Sequence, residues 1–167
     1  MAVNETTDFE RINFKKVLPA AYRAMLALEE YVHHSGLEPS LLELVKMRAS
    51  QINGCAYCLD MHSKDARAAG ETEQRLYLLS AWREAPFYTE RERAALTWTE
   101  AVTLVSETHV PAETYESVKA HFSDEELVNL TMAVVAINGW NRLEISFRGV
   151  AGTYQPIKPK QSHLKTV

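Results

Sequence analysis

Apolar residues along this chain recur at spacings of three and four, and no stretch shows a convincing strict alternation with polar ones. The first pattern puts side chains on one face of a helix; the second would mark a half-buried strand. Pro19 suits the first turn of a helix, and Tyr22, Met25, Leu26, Leu28 and Val32 follow at helical spacing until Ser35-Gly36 ends the run. Pro39-Ser40 opens a second helix, with Leu41, Leu42, Leu44, Val45 and Met47 as its apolar positions and Glu43, Lys46 and Arg48 among them. Asn53-Gly54 is a strong break. A third helix is predicted from about Cys55 to Gly70, a residue suited to follow a helix C-terminus.

Thr72 can cap the next helix, which runs through Trp82, and Pro86 marks a loop. Thr89 with Glu92 forms a capping box ahead of Ala94, Ala95, Leu96, Trp98, Ala101, Val102 and Val105. Pro111 starts another helix with Tyr115, Val118 and Phe122 on one side. Ser123 with Glu126 is a second capping box, and Leu127–Ile137 is apolar nearly all round, which places the last helix at the centre of the packing. The pattern predicts an all-α bundle of six or seven helices in a single domain, 1–167. The arm 1–17 and the tail 154–167 are peripheral, and the helices of about 40–70 hold the chemistry.

At 167 residues the chain is long enough to bury a core without disulfide staples. A net charge of −4 offers no basic surface to nucleic acid or to an anionic membrane. Met1–Asp8 is polar and acidic with no apolar core of a signal peptide, and the longest apolar run, Met132–Ile137, is far too short to span a bilayer. A cytoplasmic location is therefore expected. There, two cysteines at C-x-x-C are redox-active or metal-binding rather than a structural staple.

Those cysteines, Cys55 and Cys58, are followed by His62 and preceded by Glu43. On one helix, positions 55, 58 and 62 share a face, and Cα atoms three apart are roughly 5 Å from each other, within reach of a disulfide. Both cysteines fall in the first turn, where free N–H groups and the helix dipole favour thiolate. Cys58 and His62 are i and i+4 neighbours, so the imidazole can serve as base or counter-charge. If the Asn53-Gly54 turn folds the preceding helix back, Glu43 approaches His62 and can orient it or relay a proton. This is a kit for two-electron thiol chemistry: a thiolate attacks an electrophilic oxygen or sulfur and the second cysteine closes a disulfide. The residues leave open which sulfur attacks. The helix end favours Cys55; the imidazole favours Cys58.

The segment E43-LVKMRASQING-C55-AY-C58-LDM-H62 resembles the AhpD-like alkylhydroperoxidases of the carboxymuconolactone decarboxylase superfamily, as does Ile137-Asn-Gly-Trp-Asn-Arg142; the similarity covers roughly residues 15–150. The resemblance implies an all-helical fold and reduction of organic hydroperoxides, with Cys58 oxidised by peroxide and Cys55 resolving it. His62 and Glu43 would form the proton relay. It further implies a dithiol reductant supplied by a lipoyl-bearing protein, assembly as a trimer or as a hexamer of dimers, and no bound cofactor. One departure concerns the reductant: AhpD proper carries a histidine just before the second cysteine, and here that position is Tyr57.

Other readings compete. C-x-x-C-x3-H with Glu43 could hold zinc, although structural zinc sites draw on a second ligand pair and this chain has no further cysteine. A lactone decarboxylase of the same superfamily would need no redox cysteines, and a redox-sensing module would need no turnover. Glu43 could pair with Lys46 or Arg48 instead of His62. Ser50 and Asn53 read as capping or turn residues, Tyr57 and Asp60 as facing solvent or a neighbouring subunit, and His33, His34, His109, His121 and His163 as surface or capping residues. Trp82, Trp98 and Trp140 read as core or interface aromatics rather than a binding box; Met61, Phe87 and Tyr88 could line an apolar substrate channel but read first as packing residues.

Overall fold

A computed structural model of the chain describes residues 9–156; residues 1–8 of the predicted arm, the tail from residue 157 and His163 lie outside the described residues. Among the described residues there are nine α-helices and no strand: α1 (Phe14–Val17), α2 (Pro19–His33), α3 (Pro39–Asn53), α4 (Ala56–Ala68), α5 (Glu73–Leu78), α6 (Glu90–Thr103), α7 (Val105–Thr108), α8 (Ala112–Lys119) and α9 (Asp124–Phe147). Two of them, α1 and α7, are single turns; the remaining seven match the predicted bundle.

The boundaries follow local chemistry. Pro19 and Pro39 sit in the first turns of α2 and α3, where a missing N–H costs nothing. Both capping boxes form, Thr89 with Glu92 and Ser123 with Glu126, each satisfying two free N–H groups at a helix start. The helix predicted through Trp82 ends instead at Leu78 and tightens into a 3₁₀ turn, Leu79–Ala81. Leu76, Leu79 and Trp82 are all buried, and a 3₁₀ turn stacks residues spaced by three on one side. The helix predicted to include Val105 breaks after Thr103, where the Thr108 hydroxyl donates to the Ala101 carbonyl at 2.7 Å.

Helix α3 is the frame of the site. It packs against α4, α6 and α9, while α9 packs against α2, α3, α4 and α6. The larger core gathers Val45, Trp98, Val118, Leu130 and Val134; a second holds Leu44, Leu79, Trp82 and Leu96. Each such side chain removed from water contributes about 1.5–3 kcal/mol. Helix α9 is central but not apolar-buried all round: Val128 and Val135, seven apart, remain 60% and 46% exposed. A third, small cluster consists of Ala49, Cys55, Cys58 and Ile137, where the α3–α4 turn meets α9.

Candidate active site

The turn that makes the site is Gly54. It ends α3 at φ 70°, a left-handed conformation that a side chain disfavours, and sends the chain back along α3. Cys55 then becomes the N-cap of α4 and Cys58 lies in its first turn. Both thiols are reduced and buried, and their sulfurs are 2.8 Å apart. They share protons. The side-chain hydrogen bond from Cys58 holds the Cys55 thiol below its ordinary value, against burial, with the Asn141 amide helping. The same bond, reinforced by burial and by the Cys55 charge, pushes the Cys58 thiol up. The pair thus gives up a first proton readily and holds the second.

His62, one turn further along α4, is buried, and its Nδ1 is 2.9 Å from Glu43 Oε2 on α3. Burial pushes the Glu43 carboxyl up, but the hydrogen bond and charge of His62 and the charge of Lys46 outweigh it, and Glu43 is held below the ordinary carboxylate value. Lys46 itself pairs with Glu29, which also accepts from Trp140 Nε1 at 3.1 Å, and stands 4.0 Å from Glu43 Oε1. Arg48 pairs elsewhere, with Glu100 at 2.8 Å.

A cavity of about 460 Å³ opens over this arrangement, within the range of small-molecule sites, roughly 300–1,000 Å³. Cys58, His62 and Glu43 line it; Cys55 lies behind Cys58 and does not. Its apolar wall comes from Tyr22, Leu26, Leu42, Met61 and Trp140. Of the residues that could line a channel, Met61 faces the cavity, whereas Phe87 and Tyr88 pack in the second core; Trp140 packs against the Cys55–Cys58 cluster and also lines the cavity. His33, read as a surface residue, is exposed and sits at the cavity's edge.

Several residues carry more than their sequence context suggested. Tyr57 is half-buried rather than facing solvent; its ring lies 4.9 Å from Lys15 Nζ and lines the cavity. Asp60 binds Lys64 and the Gly152 N–H, each at 2.9 Å, tying the C-terminal segment to α4. Ser50 and Asn53 are not simple turn residues: Asn53 Nδ2 donates to Asn138 and Asn141, and Asn141 Nδ2 donates to Ser50 Oγ. That network fixes the orientation of the fully buried Asn141 beside the sulfurs. Glu144, one turn beyond Asn141, was missed altogether. It is 5% exposed, lines the cavity, and pairs with Lys15 of α1 at 3.2 Å. The signal for it is register: Ile137, Asn141 and Glu144 share the inward face of α9, so a charge at 144 must be buried.

Among the described residues no group of three or more His, Cys, Asp or Glu is arranged to hold a metal ion, and no helix is long and apolar enough to cross a membrane.

An all-helical fold that presents a buried C-x-x-C pair and a Glu–His pair to one apolar cavity defines the class, and comparison with known proteins agrees with it. The chain belongs to the carboxymuconolactone decarboxylase family, whose model matches residues 19–101, and is AhpD-like. It is 42% identical over 137 residues to the uncharacterized protein YdfG of Bacillus subtilis, covering 82% of this chain and 93% of that one. A crystal structure from Agrobacterium tumefaciens, of a protein of unknown function described as a candidate antioxidant defence protein AhpD, matches with a TM-score of 0.84 and 51% identity over 87% of this chain and 99% of the other. The debrominase Bmp8 bound to 2,3,4-tribromopyrrole shares the fold alone, with a TM-score of 0.74 and 19% identity over 83% of this chain and 74% of the other.

Proposed function

We propose that the protein is a thiol-dependent peroxidase that reduces organic hydroperoxides through a Cys58/Cys55 dithiol–disulfide cycle. The observation that carries this reading is the shared cavity: Cys58 and the Glu43–His62 pair open onto it together, with Cys55 held 2.8 Å behind Cys58. His62, oriented by the ionised Glu43, takes the proton that the two thiols share. The proton left on the pair passes across the 2.8 Å contact to Cys55, so that the sulfur facing the cavity, Cys58, attacks the terminal oxygen of ROOH as thiolate; an S–O bond forms, the O–O bond breaks and the alcohol leaves. Sulfur loses two electrons and the peroxide gains them. Cys55 then attacks the sulfenic sulfur, water departs and the disulfide closes. A dithiol must reopen it, and a lipoyl-bearing protein in the cytoplasm supplies one of suitable chemistry. Assembly into a homo-oligomer belongs to this reading, with the apolar stripe at Val128 and Val135 available for contact.

The test is turnover of cumene hydroperoxide with dihydrolipoamide. Cys58→Ser should abolish it. Cys55→Ser should stop after one oxidation, leaving a sulfenic acid detectable by dimedone labelling. Undiminished turnover by Cys58→Ser would overturn the assignment of roles.

A further inference from the structure

We propose that Glu144 is the general acid that protonates the alkoxide leaving the hydroperoxide. The inference rests on the thiol-peroxidase reading and deepens it by separating the two proton transfers of the first step. When the Cys58 thiolate takes the terminal oxygen of ROOH, the other product is RO⁻, a strongly basic leaving group. It needs a proton as the O–O bond breaks, and the source must sit in the cavity with Cys58.

The ionisable groups lining the cavity can be sorted. His62 keeps the proton it takes from the thiols, with its Nδ1 at 2.9 Å from Glu43, and the Lys15 ammonium is paired with Glu144 itself at 3.2 Å. Glu43 is held ionised by His62 and Lys46 and has no proton to give. Lys46 is engaged by Glu29 and Glu43. Burial raises the Asp65 carboxyl too, but it is only half-buried and both its oxygens are occupied by the Tyr154 hydroxyl, at 2.7 and 3.0 Å. Glu144 differs from all of these. It is 5% exposed and lines the cavity with Cys58. Its carboxyl lies against the backbone of Gly149: a Cβ added there would come within 1.9 Å of Oε2 and 3.4 Å of the Tyr57 ring, so the side chain would have to shift. Burial pushes its carboxyl above the ordinary value, and the charge and hydrogen bond of Lys15 offset this only in part.

The groups facing Glu144 are Lys15 of α1, Glu10 just before it, and Tyr57, Cys55 and Cys58 of α4. A negative charge on Glu144 raises both thiols. With its proton in place, Glu144 leaves the thiolate unopposed; once the proton has passed to the alkoxide, Lys15 at 3.2 Å neutralises the new carboxylate. Solvent restores the proton before the next turnover. The step balances: thiolate, ROOH and the carboxyl proton become sulfenic acid, ROH and carboxylate.

The experiment compares leaving groups. Oxidation of Cys58 is followed by stopped flow in the wild type and Glu144→Gln, with cumene hydroperoxide and with peracetic acid. The first releases a basic alkoxide; the second releases a carboxylate that needs no proton. General acid catalysis contributes about 10²-fold or more, so Glu144→Gln should slow the cumene hydroperoxide reaction by about that factor and leave the peracetic acid reaction essentially unchanged. An equal loss with both oxidants, or a loss with neither, overturns the proposal while the peroxidase reading stands. A wild type whose Cys58 reacts with neither oxidant overturns both. Lys15→Met supplies an independent check with the carboxyl retained. Removing the cation favours the protonated form of Glu144, so the alkaline limb of the cumene hydroperoxide profile should move to higher pH. A limb that stays put or moves lower contradicts the assignment.

Discussion

Two carboxylates look into one cavity, and their surroundings treat them oppositely. On the α3 wall, Glu43 meets the imidazole of His62 at 2.9 Å and the ammonium of Lys46 at 4.0 Å, and is held ionised. On the α9 wall, Glu144 has a single cation, Lys15, too little to offset its burial, and is pushed toward its protonated form. Neither residue type nor cavity distinguishes them; the number of donors each meets does. Environments that drive two like groups apart are how one site supplies a base and an acid at the same pH. The sulfurs lie between, sharing protons, so each wall acts on the same thiolate.

The sharpest way to break this contrast is to remove the α3 side. Glu43→Gln keeps the shape but no longer orients His62 with a charge. Loss of a positioned base costs about 10²–10⁴-fold in rate, and cumene hydroperoxide turnover should fall within that range while the cysteines still react slowly with thiol reagents. His62→Ala should fall as far and raise the pH at which the first thiol ionises, read by thiolate absorbance near 240 nm. An unmoved thiolate titration in His62→Ala would remove the imidazole from the proton path.

Asn141→Ala should come next. It strips the amide from beside the sulfurs, takes the donor from Ser50 Oγ and leaves Asn53 with Asn138 alone in the α3–α9 interface. Each buried polar group left unpaired costs about 1–3 kcal/mol, to be read by urea unfolding. The thiolate titration should shift up at the same time. A stability loss with no titration shift would make Asn141 a packing element only.

What could be read from the residues, and what could not, divides along the same two walls. Asn53-Gly54, the two capping boxes and the prolines at helix starts act within one turn of chain, so the elements and the all-helical fold were legible. Glu43 and His62 lie on neighbouring helices joined by that short turn, so their meeting needs only the fold-back. Glu144 and Lys15 come from opposite ends of the chain, and their contact exists only once α1 and α9 have both settled against α4. No local pattern encodes that. Tyr57 and Met61 are ambiguous from sequence for a related reason: helical register places them beside Cys58, but which side of α4 faces a cavity depends on where α2 and α9 lie.

The smallest expected effect is also the cleanest statement of the contrast, because it uses stability rather than turnover. Glu43 has a folded-state value below that of the unfolded chain, about 4.3 for a free glutamate. Its contribution to stability is therefore present above that pH and is lost as pH falls through the lowered value. Glu144 has a folded-state value above the unfolded one, so its contribution is present below about pH 4.3 and is lost as pH rises through the raised value. Replacing either by Gln removes its own slope and leaves the other. Urea unfolding of the two variants across pH 3–8 should show Glu43→Gln with a shallower loss of stability on the acid side than the wild type. Glu144→Gln should show a shallower loss on going from acid toward neutral pH. If both variants flatten the same limb, the two walls do not differ in the way their neighbours require, and the division of base and acid between them fails together with it.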